Sequence, residues 1–147
     1  MRPPILTTRS IALADSALRA VLTRTLVGTG LDFYRWIALK LVADQPSFTP
    51  VREIAERMRD FLKLEDAQAI AALDDLRALD LVDHVNDRVC VTLRGSSLHK
   101  RLCDETGVLA QQIYAGLDPD DLAATHRVLS TVTGRANALL AEMPSTP

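Results

Sequence analysis

Apolar positions recur at helical spacing over most of this chain. In TRSIALADSALRAVLTRTL, Ile11, Ala14, Leu18, Val21, Leu22 and Leu26 stand three and four residues apart, which predicts an amphipathic helix. The glycines of VGTG end it. GLDFYRWIALKLVAD is apolar nearly all round and predicts a central helix, with Asp32 placed to cap it. After a break at DQPSF, the segment TPVREIAERMRDFL offers Thr49 as N-cap, Pro50 as first helical residue and Glu53 in the first turn. A further helix follows Leu64, with Ile70, Leu73, Leu76 and Leu79 as its core stripe.

The period then changes. LVDHV and RVCVTL are β-branched runs separated by Asn86-Asp87, the chemistry of a tight hairpin turn. Past Gly95, Leu98, Leu102, Leu109 and Ile113 predict a long helix with a weak point at Gly107. A last helix opens with Asp118 as cap, Pro119 next and Asp121 in its first turn; Leu122, Val128, Leu129, Val132, Leu139 and Leu140 continue it. The expected architecture is mainly α with a small β-hairpin wing, one domain over residues 1–147, closing with a disordered tail MPSTP. The segments 5–30 and 96–143 carry more apolar surface than the central module 31–95 needs to cover itself. Pairing with a second copy would bury it, through Ile11, Leu18, Leu122, Leu129, Leu139 and Leu140.

Composition narrows the function classes. Hydrophobic residues are 48% and charged residues 24%, ordinary for a folded soluble domain. A net charge of −2 supplies no global attraction to nucleic acid, so any such attraction must be local. The first residues make a poor export leader, and WIALKLVA, interrupted by Lys40, is too short to span a bilayer. Cys90 and Cys103 do not make a disulfide framework, so reduced thiols in a cytoplasm are the default. His99 and Cys103, four apart on one helix face, lack further ligands at metal-binding spacing, and no metal or cofactor is expected. Nor does any nucleophile, base or phosphate-cradling loop point to an enzyme.

The order helix, corner, two short strands and tight turn is that of a winged helix-turn-helix, and here the sequence resembles the MarR family of bacterial regulators. GLDFYRWIALKLVAD is similar to the family's second helix, and IAERM to the first helix of its helix-turn-helix. LRALDLVDHV resembles its Leu-x-x-x-Gly-Leu-Val corner with Asp80 in the glycine's place. VTLRGSSLHKRL resembles the passage from wing to fifth helix, and GLDPDDLAATHRVL the start of the sixth. The resemblance covers nearly the whole chain. It departs from the family in about four extra residues around DFLKL, in a wing cut to Asn86-Asp87, and in Asp66, Gln68, Ala71 and Ala72 on the helix that would read DNA.

The resemblance implies a homodimer held by the terminal helices, presenting two winged modules to a palindromic duplex and controlled by a small aromatic or phenolic ligand. Gln68 would face bases, while Arg57, Lys63 and Arg88 would meet phosphates. Phe33, Tyr34 and Trp36 would line the ligand cleft, with Arg35 or Lys40 as anchor for an acidic ligand; core packing is the other reading of the aromatics. Residues 51–101 hold nine Lys/Arg against ten Asp/Glu, a poor balance for neutralising phosphates. The alternative is therefore a dimer of this fold that has lost DNA reading and binds a small molecule or protein partner, or works as an enzyme.

Overall fold

A computed structural model describes residues 1–2 and 5–145. Of the tail expected to be disordered, Thr146 and Pro147 lie outside the described residues. The described chain forms six helices and a small antiparallel sheet. In order these are α1 (Thr8–Thr25), α2 (Phe33–Ala43), β1 (Thr49–Pro50), α3 (Val51–Leu62), α4 (Asp66–Ala78), β2 (Val82–Val85), β3 (Arg88–Val91), α5 (Leu93–Tyr114) and α6 (Pro119–Glu142). Contacts divide the chain into two compact units, Met1–Val108 and Leu109–Pro147.

The core lies in the first unit. Trp36, Ala38, Leu39 and Val42 of α2 are buried with Ile54, Ala55 and Met58 of α3, and with Leu73 and Leu76 of α4. Leu81, Val82 and Val89 close the sheet side, and Leu102 of α5 completes the cluster. Helices α1 and α2 begin where the sequence supplies a cap. The Thr7 hydroxyl accepts from Ser10 N–H at 3.2 Å, and the Asp32 carboxylate accepts from Arg35 N–H at 2.9 Å.

Two local expectations are corrected. Thr49 does not cap α3: its backbone pairs with Val89 as β1, and its hydroxyl donates to the Ser47 carbonyl at 3.2 Å. The helix starts one residue past Pro50, and the Val51 N–H is held by the Asp87 carbonyl at 2.8 Å. The sheet accordingly has three strands, ordered β1-β3-β2, where the β-branched pattern predicts a hairpin alone. Two residues containing a proline carry no alternation to read. The core stripe of α4 is also rotated. It runs through Ala69, Ala72, Leu73 and Leu76, while Ile70 is 45% exposed. Small alanines on the buried face let α4 approach its neighbours closely, and weighting the stripe by large residues alone hides this.

The hairpin matches its reading. Asn86 and Asp87 both have positive φ, 47° and 60°, as a type I′ turn demands. At the corner after α4, Asp80 sits at φ 59°, the left-handed conformation for which the family's glycine is suited. The Leu81 N–H returns to the Leu76 carbonyl at 2.9 Å. A side chain at Gly95 would collide with the carbonyl oxygen of Leu81, so only glycine lets α5 start this close to the corner. The Thr92 hydroxyl caps that start, accepting from Gly95 N–H at 3.0 Å.

Helix α5 runs without interruption through Gly107 to Tyr114. In the second unit α6 is capped by Asp118, whose carboxylate accepts from Asp120 N–H at 2.7 Å. Neither α1 nor α6 buries a single side chain within this chain. Among the described residues no helix is long and apolar enough to cross a membrane.

Candidate nucleic-acid interface

Helices α3 and α4 and the wing turn enclose an open groove of about 640 Å³. Its cations are Arg52 and Arg59 of α3 and Arg88 of β3. Its anions are Glu56, Asp66 and Asp87, and Ile70 supplies an apolar floor. Three positive charges thus face three negative ones. The Arg59 Nη1 lies 2.9 Å from Asp66 Oδ1, so the first turn of α4 is tied by an ion pair to the helix before it. Arg88 Nη1 donates to the Phe48 carbonyl at 3.4 Å, which holds its stem along the edge of the sheet.

Of the residues expected to meet DNA, only Arg88 lines this groove. Arg57 is exposed on α3, where its Nη2 pairs with Glu53 at 2.7 Å. Lys63 ends α3 at φ 56°, and its Nζ donates to the Asp60 carbonyl at 2.8 Å. The stretch DFLKL, surplus to the family pattern, is thereby used as the last turn of α3 and its left-handed stop. Gln68 is committed locally as well: its Oε1 accepts from the Glu65 N–H at 3.1 Å, half of a capping box. Sequence reasoning missed Arg52 and Arg59. Their spacing of seven residues puts them on one face of α3, two turns apart, and was the available signal.

Of the aromatics of α2, Phe33 and Tyr34 meet edge to face with ring centroids 5.6 Å apart, while Trp36 faces elsewhere. Phe33 lies under Arg19 of α1, whose guanidinium carbon is 4.2 Å from the ring centroid. Trp36 is buried, 5.7 Å from the His99 ring, with Lys40 Nζ 5.7 Å above it. Tyr34 alone lines a cavity, about 220 Å³ between the start of α2 and α4, which it shares with Arg35, Gln68 and Asp75. There Arg35 Nε and Nη2 both lie 2.9 Å from Asp75 Oδ2, and Nη1 lies 3.7 Å from Asp32. The hydrogen bond that Arg35 donates to Asp75, with the charge of Asp32, raises the Arg35 pKa above its ordinary value. Asp75 therefore faces α2 rather than the groove.

The remaining candidates are placed as follows. Leu18, Leu139 and Leu140 are exposed, the last two at 61% and 53%, whereas Ile11, Leu122 and Leu129 are half-buried. Cys103 Sγ touches His99 Nε2 at 3.3 Å, and no group of three metal-ligating side chains occurs among the described residues. Cys90 is half-buried, and burial, aided by the Asp83 carboxylate, raises its pKa; this is the opposite of what a reactive thiolate needs.

No protein-family model and no curated protein matches the sequence. Solved structures do match its fold. CouR from Rhodococcus jostii RHA1, bound to p-coumaroyl-CoA, is 17% identical with a TM-score of 0.70, covering 84% of this chain and 88% of its own. The reduced form of MarR from E. coli is 18% identical with a TM-score of 0.68, covering 88% and 95%. Bordetella bronchiseptica BpsR, whose DNA binding is regulated by 6-hydroxynicotinic acid, is 16% identical with a TM-score of 0.70, covering 88% and 99%. The helix order and the small antiparallel sheet agree with this likeness: the chain has the winged-helix fold of the MarR-family regulators.

Proposed function

We propose that this protein is a homodimeric, cytoplasmic DNA-binding transcriptional regulator controlled by a small aromatic ligand. The observation that carries the reading is the groove where Arg52, Arg59 and Arg88 gather between α3, α4 and the wing. Three guanidiniums at one mouth can contact phosphates while α4 lies along the major groove. The exposed apolar residues of α1 and α6 support a dimer, since neither helix has a fully buried side chain. Tyr34 beside Arg35 supports an aromatic acid as ligand, an aromatic wall next to a cation. Both CouR and BpsR bind or respond to aromatic molecules of this kind.

Affinity is expected to be modest. With three candidate cations per module, facing three carboxylates in the same groove, the salt slope should be shallow, about −0.9 for every phosphate neutralised. The test is selection of random duplexes by the purified protein at low salt. Recovery of a palindrome supports the regulator. No enrichment favours a dimer of this fold that has given up DNA for a small-molecule or protein partner, the reading to which the equal charges of the groove point.

A further inference from the structure

A second concave site lies away from the groove. It is built by the turn Gly28–Thr29 after α1 and by Arg94, Ser97, Leu98 and Arg101 on the first turns of α5, and it encloses about 380 Å³. That volume falls within the range of small-molecule sites, which runs from roughly 300 to 1,000 Å³. Its charge separates it from the rest of this acidic protein. Two arginines line it and no carboxylate does, whereas the groove beside α4 holds as many acids as bases. Among the described residues Arg94 has no ion pair and the Ser97 hydroxyl has no hydrogen-bond partner. Arg101 is held only loosely, its Nε 3.6 Å from Glu105. With one guanidinium unpaired and the other only loosely held, an anion between them gains a charge-assisted partner at each.

Geometry narrows the anion. Arg94 and Arg101 are seven residues apart, hence on one face of α5 and about 10 Å apart along its axis. Ser97 and Leu98 lie between them on the same face. A lone spherical ion would meet one guanidinium well and the other poorly, whereas an elongated, multiply charged group can engage both. Guanidinium forks are matched to phosphate oxygens, and the Ser97 hydroxyl adds one donor between them. Gly28, at φ 82° with open space where a side chain would stand, leaves the turn accessible to such a group. We infer that this site binds a diphosphate group, as carried by a nucleotide-type small molecule, independently of any duplex held at α3 and α4.

The probe is inorganic pyrophosphate, titrated calorimetrically into the intact protein at fixed ionic strength, with inorganic phosphate and sulfate as comparison anions. Pyrophosphate should bind more tightly than either. Arg94→Ala and Arg101→Ala should each weaken it by about tenfold or more, the loss expected when a charge-assisted bond is removed. Both side chains project from an exposed helix face, so neither substitution removes core packing. Arg59→Ala changes the net charge equally but lies in the other groove, and it should leave pyrophosphate affinity unchanged. Equal losses in all three variants would reduce the effect to net charge and overturn the proposal. It would also fall if pyrophosphate failed to bind while Arg94→Ala and Arg101→Ala weakened duplex binding, because the pair would then serve DNA phosphates.

Discussion

Asp66 and Arg59 meet at 2.9 Å across the junction of α3 and α4, at the mouth of the groove that would receive a duplex. The pair is exposed on both sides, and its contribution to stability is small, about 0–1 kcal/mol. Its effect on binding is larger in principle, because the carboxylate both repels phosphate and occupies the guanidinium that could contact it.

Asp66→Asn should therefore tighten duplex binding and steepen the salt slope by about one unit, as Arg59 becomes free to neutralise a phosphate. Asp75→Asn should do neither, because Asp75 is held by Arg35 on the α2 side. Titration of both variants at several salt concentrations reads the difference. An identical gain from the two would mean that bulk charge, not the groove, governs binding.

The glycines of α5 should behave in opposite ways. Gly95→Ala drives a methyl into the Leu81 carbonyl and should cost on the order of 3 kcal/mol or prevent folding, since backbone must move. Gly107→Ala meets nothing within 4 Å in a helix interior and should stabilise by about 1 kcal/mol. Thermal melts of the two variants, at equal protein concentration, decide the matter.

Thr92 joins two elements through one hydroxyl, which donates to the Asp80 carbonyl at 2.8 Å and accepts from Gly95 N–H. Thr92→Val keeps the shape and removes both bonds. It should cost about 1–2 kcal/mol, more than Thr92→Ser, which retains the hydroxyl. Denaturant midpoints at constant m-value test this order.

Cys90 holds its proton longer in the folded protein than a free cysteine does, since burial and Asp83 raise its pKa. The sign follows: any stability from this shift is fully present below the unfolded value of about 8.5 and is lost as pH rises beyond it. Alkylation by iodoacetamide in a Cys103→Ser background should lag a free thiol at pH 8 and approach it at higher pH. Cys90 modified as fast as a free thiol would contradict the burial.

Dimerisation gives the simplest check. Sedimentation at micromolar concentration should report about twice the 16.1 kDa chain mass. Introducing Leu139→Glu and Leu140→Glu should shift it toward one chain mass, because the charges would be placed on the apolar face of α6.

Much of the fold was legible because its signals are local. Asp32, Asp118 and the Asn86-Asp87 turn act on backbone groups within a few residues, and each behaves as its residue type dictates. What escaped depends on partners distant in sequence. Thr49 reads as a cap until Val89 claims its backbone, and Ile70 reads as core until the alanines beside it prove to be the packed face. The candidate site was less legible for the same reason. Arg57 and Lys63 look available in sequence, but Glu53 and the Asp60 carbonyl already hold them, while Arg52 and Arg59 become neighbours of Arg88 only through the β1–β3 pairing. Tyr34 and Trp36, two apart in one helix, point to different surroundings, as helical periodicity requires.

The last residue of the buried cluster is Leu102, and this bears on the order in which the protein is made. Everything needed to close the core, from Leu26 of the α1–α2 turn onward, has left the synthetic machinery's active site before α6 exists. At about 5–20 residues per second, the stretch from Leu102 to Glu142 takes some seconds to produce, a time in which small modules ordinarily fold. The core of the winged module can thus close without waiting for α6 to fold. Folding of the module is thereby independent of the last helix, and a chain ending before α6 would still hold every residue of the buried core.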